Sequence, residues 1–232
     1  MIEVRVSTKA QIIAAASKVF ARDGFEAASL REILRDAGVN PASAHYHFGS
    51  KEVLWRRTVE RWIIPLTEQR AASLEQLLRN RQSAPQRVRS LIEAYISPYL
   101  KLCGDIDAHP YLIMVARFAY EPAHVVQALY DEIIGQTRSR YVTALLQALP
   151  VLGLDLTQRL FGWVVGTMCG APFDRNYVSM TGRSAIPQDP DLLIRQITLM
   201  CSAGILAVAE DCRAKSGPGA RGRRAARPKS GR

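Results

Sequence analysis

At 232 residues, with 48% hydrophobic and 22% charged side chains, the chain has material for a sizeable core and the charge balance of a globular protein. No uninterrupted apolar run reaches the roughly eighteen residues of a membrane span. The polar stretch from Met1 to Lys9 leads into no secretory-type apolar segment. The formal charge of +10 is concentrated at one end: from Arg213 onward there are eight Lys and Arg and no Asp or Glu, and without those eight the chain carries +2. The basic character is therefore largely a property of the tail.

The four cysteines, Cys103, Cys169, Cys201 and Cys212, form no C-x-x-C pair and no zinc-finger spacing. A chain with this much core does not need disulfides, so reduced thiols in a cytoplasm are expected, with Cys169 and Cys201 as core residues. No cofactor is implied.

The chain reads as helices at about 3.6-residue periodicity throughout. The first spans residues 8–22, with Ile12, Ala16, Val19 and Phe20 on one face and Gly24 as its stop. Ser29-Leu30-Arg31-Glu32 reads as a capping box, in which the Ser hydroxyl and the Glu carboxylate each satisfy an orphan amide. It opens a second helix with Leu30, Ile33, Leu34 and Ala37 facing inward. Gly38 ends that helix, and Val39 is expected to plug back into the core. Asn40 is an N-cap and Pro41 a first helical residue, opening a short third helix over residues 41–47. Ser50 caps a long helix that Pro65 should end or kink. A further stretch covers residues 66–79. Five more helices are expected over residues 86–102, 110–120, 123–149, 156–171 and 190–211, with a loop over 172–190. Residues 214–232 lack any large apolar side chain and should form a basic disordered tail.

Two helices joined by a tight Gly turn, the second short and capped, form the helix-turn-helix pattern. The third helix is small and polar, as close approach to base edges in a major groove requires. Phe20-x-x-x-Gly24-Phe25, Ser29-Leu30-Arg31-Glu32-Ile33, Ala37-Gly38-Val39-Asn40 and Tyr46-His47-Phe48-Gly49-Ser50-Lys51-Glu52-x-Leu54 together resemble the tetracycline-repressor (TetR) family.

That resemblance implies an all-α homodimer: an N-terminal three-helix helix-turn-helix domain over 1–50, then a C-terminal helical ligand-binding and dimerisation domain over 51–212, about nine helices in all. The basic tail would occupy 213–232. The implied partners are palindromic double-stranded operator DNA and a small-molecule effector, apolar or amphipathic, that releases the DNA. The protein is read as a ligand-responsive regulator, a repressor by family resemblance.

By position, the resemblance implies that Ser29 meets a phosphate, that Pro41, Ala42, Ser43 and His45 face base edges, and that Tyr46, His47 and Lys51 grip the backbone. Asn40 belongs to the same surface. His45 departs from the Tyr or Asn common in the family, and Ala44 from its Leu or Val, which leaves the base preference open. The physics supports parts of this. A helix N-terminus offers Ser29's neighbours as free amides. Lys51 opposes the dipole of the helix it opens, which a phosphate would compensate. Arg5 and Lys9 can add phosphate contacts.

Helices 156–171 and 190–211 are apolar on more than one side. Gly162, Gly166 and Gly170 in the first suggest close helix approach. Pairing with a symmetry mate would bury the surplus. Tyr99, Cys103, His109, Met114, Arg117, Phe118, Trp163, Met168 and Phe173 are candidate linings of a ligand cavity, although Met and aromatic residues at helical spacing also serve as plain core. His109-Pro110-Tyr111-Leu112-x-x-x-Ala116-Arg117-Phe118-x-x-Glu121-Pro122 is similar to a branch of the family with fatty-acid and acyl-thioester sensors. Arg117 or His109 would suit a carboxylate, but Arg117 and Glu121, four apart on one helix, can simply pair.

Two other classes of protein are distinguishable by sequence. An enzyme would need a P-loop, a dinucleotide fingerprint, a nucleophile elbow or an H-E-x-x-H helix, and none is present. A helical ligand-binding or interaction protein with a non-functional DNA-reading head would place acidic or bulky residues across 41–47, and the sequence there is small and polar.

Overall fold

The computed structural model describes residues 7–40, 48–173 and 189–216. The expected base-reading residues Pro41, Ala42, Ser43, His45, Tyr46 and His47 lie outside these residues, as do Arg5 and residues 217–232 of the tail. Among the described residues there are helices and turns and no strand.

Helix α1 (Thr8–Ala27) is capped by Ser7, whose hydroxyl accepts the Ala10 N–H at 3.3 Å. Its helical path breaks at Gly24 (φ 79°, ψ 179°), a region that essentially only glycine occupies, before one further turn. Helix α2 (Leu30–Asp36) begins at Ser29, whose hydroxyl accepts the Glu32 N–H at 3.5 Å. The reciprocal half of the expected capping box is absent. The Glu32 carboxylate instead takes Arg22 at 2.8 Å and Arg35 at 3.4 Å, because two guanidinium groups lie within its reach. Helix α2 ends as expected. Val39 N–H bonds the Leu34 carbonyl and Gly38 N–H the Arg35 carbonyl, a Schellman closure made possible by Gly38 at φ 66°. Val39 then packs on the core.

Helix α3 (Lys51–Arg79) opens on Ser50, which accepts the Val53 N–H at 3.3 Å. Pro65 does not end it, contrary to one of the two outcomes expected there. The missing N–H costs one backbone bond, but Pro65 faces solvent while Ile63, Leu66, Arg70 and Leu74 continue the buried stripe across it. Burial on both sides of the proline outweighs one lost bond.

Helix α4 (Ala84–Lys101) follows, then α5 (His109–Ala116). The expected single helix over 123–149 is divided into α6 (Ala123–Leu129), a π-helical turn (Tyr130–Ile134) and α7 (Gly135–Ala148). Helix α8 (Gly153–Gly170) and α9 (Pro190–Ser216) complete the bundle, α9 running four residues into what was read as tail. By length and composition alone α9 is apolar enough to cross a membrane, its best window having a mean hydropathy of 1.8. It lies along α4, with Ile194, Ile197 and Ile205 in the core.

One hydrophobic cluster joins the two ends of the molecule, from Ile12, Phe20 and Ile33 through Trp55 and Tyr111 to Tyr141, Phe161 and Ile205. The head and the helical body therefore share a core rather than meeting across a linker. A proline in a helix interior costs about 3 kcal/mol. Pro65→Ala is accordingly expected to raise stability by about 2 kcal/mol, measured by equilibrium denaturation at fixed protein concentration; an unchanged midpoint would mean that α3 bends locally to absorb the ring.

Candidate nucleic-acid interface and effector site

On the head, Lys9, Ser29 and Asn40 are exposed. Ser29, Arg31, Glu32, Arg35 and Val39 border an open groove of about 700 Å³. Alongside it, Arg22 bridges Asp23 at 2.6 Å and Glu32 at 2.8 Å, and this guanidinium holds the Asp23 carboxyl below its usual range. Arg31 enters none of these ion pairs.

Lys51 has partners within the head itself. Its ammonium donates to the carbonyls of Glu26 at 3.0 Å and Ala28 at 3.4 Å, and sits 4.6 Å from the Phe25 ring. The cation that opposes the α3 dipole is thus compensated by the orphan carbonyls at the end of α1. It ties the start of α3 to the end of α1.

The candidate ligand residues separate into three places. Arg117 and Phe118 stand at the junction with the head. Glu121 accepts the Phe25 N–H at 2.9 Å, with Arg117 3.6 Å from its carboxylate. The Phe118 ring lies 5.8 Å from Trp55, which meets Phe25 edge-on at 6.3 Å. A Cβ at position 24 would stand 2.6 Å from the Arg117 Nη2 atom. Trp163 is in the second place, on the outer face of α8 and 63% exposed, so it joins no interior group. Phe173 has no described side chain.

Tyr99, Cys103, His109, Met114 and Met168 occupy the third place, the interior of the helical body. His109 Nε2 meets the Cys103 carbonyl at 3.0 Å, and the Tyr99 hydroxyl donates to the Leu112 carbonyl at 3.4 Å. Burial pushes the Cys103 and Cys169 thiols up to about 11, which leaves them protonated and unreactive at neutral pH.

The sequence reading missed Arg70. This arginine is 4% exposed. Its Nε donates to the Tyr95 carbonyl at 2.8 Å, its Nη2 lies 3.5 Å from the Met168 sulfur, and its guanidinium covers the Tyr95 ring at 4.1 Å. The Tyr141 hydroxyl donates to the Arg70 carbonyl at 2.8 Å, fixing the backbone there. No Asp or Glu among the described residues pairs with it. A signal was available: Arg70 falls on the apolar stripe of α3, in line with Ile63, Leu66 and Leu74, where a charge is costly. Nearby, the Tyr111 hydroxyl is buried without a hydrogen-bond partner.

A capped α2, a glycine-terminated turn and a long helix leading from that head into an all-helical body define a helix-turn-helix regulator. Residues 12–58 match the family described as bacterial regulatory proteins, tetR family. Residues 93–204 match the tetracyclin repressor-like C-terminal domain. The chain belongs to the TetR family and is a ligand-responsive, DNA-binding transcriptional regulator. It is 27% identical over 210 residues to the HTH-type transcriptional dual regulator CecR of Shigella flexneri, covering 85% of this chain and 90% of that one. It is 33% identical over 91 residues to the HTH-type transcriptional activator FasR of Mycolicibacterium smegmatis, covering 39% of this chain and 40% of FasR. In fold it is similar to the fatty acid degradation regulator FadR of Bacillus halodurans, with TM-score 0.60 and 16% identity, covering 87% of this chain and 98% of that one.

The backbone at position 24 gives a direct test of the junction. Gly24→Ala places a Cβ on a backbone that disfavours it, at a cost of about 2 kcal/mol. Denaturation should show that loss, and adding Arg117→Ala should not recover it. Recovery would mean that the clash with Arg117, not the backbone, sets the cost.

Proposed function

We propose that the protein is a cytoplasmic repressor that binds a palindromic operator as a homodimer and releases it when an apolar or amphipathic small molecule enters the helical body. The observation that carries this reading is the closure of α2 at Gly38 and Val39, which delivers the chain at Asn40 to the short polar segment 41–47 in the order a helix-turn-helix needs. Ser29, Asn40, Pro41, Ala42, Ser43, His45, Tyr46 and His47 form the DNA-reading set, with Lys9 and Lys51 at its edge. Lys51 acts there by holding the head together. The division into head, sensor and tail at 1–50, 51–212 and 213–232 belongs to the same reading, with α9 extending four residues into the tail.

The dimer follows from α8 and α9. Leu154, Trp163, Leu199 and Met200 are large, apolar and exposed, and positions Gly166, Gly170 and Gly204 face open space rather than another helix of the same chain. Among the described residues nothing fills the space at Gly166 and Gly170, so a second copy is the natural occupant. An amphipathic effector accords with the apolar interior around Tyr99, Met114 and Met168, and with the fatty acid degradation regulator among the structural relatives.

Fluorescence anisotropy on the DNA upstream of its own coding region, at physiological salt with excess competitor, tests the operator reading. Tight binding should fall about tenfold or more with Tyr46→Ala, and persist when the chain is ended at Ser216. Binding that requires the tail and collapses with salt would refute it. Trp163→Glu with Met200→Glu should convert the dimer to monomer in sedimentation and reduce operator affinity; an unchanged dimer would place the interface elsewhere.

A further inference from the structure

We propose that Arg70 is the anion-recognising group of the effector site, and that the effector is a small carboxylate carried on an apolar body. This deepens the effector reading given above and rests on it.

Arginines elsewhere in the chain illustrate what is unusual here. Arg56 lies between the Glu60 and Glu132 carboxylates, Arg57 reaches Glu60 at 2.8 Å, and Arg22 and Arg35 share Glu32. Arg70 is more deeply buried than any of these and pairs with no carboxylate among the described residues. Its hydrogen-bond partners are a backbone carbonyl and a thioether, and its face lies on the Tyr95 ring, all weaker partners than an anion. A guanidinium has five N–H donors in a planar fork, and these contacts use two of them. The remaining donors match the geometry of a carboxylate, which the fork can bind through both oxygens.

A buried cation without an anion is unfavourable, and an apolar residue of similar size would serve packing better. Packing therefore does not explain the residue, whereas a visiting anion does. The walls agree. Tyr95, Tyr141 and Phe161 stack edge to face beside Arg70, and Trp62, Tyr111 and Tyr99 form a second run of rings. These supply apolar surface for the body of a ligand. The Tyr111 hydroxyl, buried and without a partner, is a second donor in the same interior, and the Arg70 charge acts on it against the rise that burial causes. Arg117 was the more obvious anchor by sequence. Its guanidinium lies at the head junction beside Glu121, so it is already opposed by a carboxylate there.

The experiment uses the full chain and two probe pairs, decanoate beside decanol and naphthoate beside naphthylmethanol, followed by calorimetry and by the fluorescence of Trp62 against Tyr111. At least one carboxylate should bind the wild type about tenfold or more tightly than its alcohol. Arg70→Met should abolish that preference while its melting temperature without ligand stays level or rises. Arg70→Lys, which keeps the charge but not the fork, should retain part of it. A wild type that binds acid and alcohol equally overturns the anion site and leaves the effector reading standing. A wild type that binds none of the four overturns the anion site and removes the support for an amphipathic effector. An Arg70→Met protein that still prefers the acid overturns the assignment to Arg70.

Discussion

The Glu121 carboxylate crosses from the helical body to the first residue after the break in α1 and accepts the Phe25 N–H. That N–H is free because Gly24 leaves the helical path, and Gly24 can do so because its φ of 79° and ψ of 179° are open to a residue without a Cβ. The rings of Phe25, Trp55 and Phe118 close around the same point. Head and body are thus held by a buried charge-assisted bond set in a continuous core. A packed interior has discrete arrangements rather than a continuum of them. A ligand acts on DNA affinity only through its differential affinity for such arrangements, and α1, α3 and α5 are the elements that connect the two ends.

Charge is handled in two ways in this chain. Glu60 is buried in α3, Arg56 and Arg57 close over it from the same helix, and Glu132 takes the other side of Arg56, so the four charges cancel as a unit. Lys51, at the head of the same helix, is satisfied by carbonyls rather than by an acid. Arg70, five turns further along, is the exception. It is held by Tyr95 and Met168 in an interior of aromatic rings. The cost of that placement has to be recovered elsewhere, and a site that is complete only when occupied recovers it on binding.

Much of the head was readable before any coordinates. Ser29, Gly38 and Ser50 do what their residue types require, because an N-cap or a Schellman turn closes its hydrogen bonds within about six residues of chain. The errors arose where a second element intervened. Glu32 abandons the capping box because Arg22, ten residues earlier, is brought beside it. Pro65 does not end α3, because the buried stripe continues past it. Trp163 looked like a pocket residue by composition, but α8 turns it outward.

The order of capped helices, the tight turn at Gly38 and the polar segment at 41–47 were determined by local chemistry, and with them the family and the kind of regulator. Which buried residue carries a charge that no carboxylate among the described residues meets was decided by the tertiary structure alone. Arg70 meets Met168 ninety-eight residues away in the chain and Tyr95 twenty-five away. Whether an arginine ends beside a carboxylate or beside a thioether depends on how helices cross, and nothing in its immediate sequence records that.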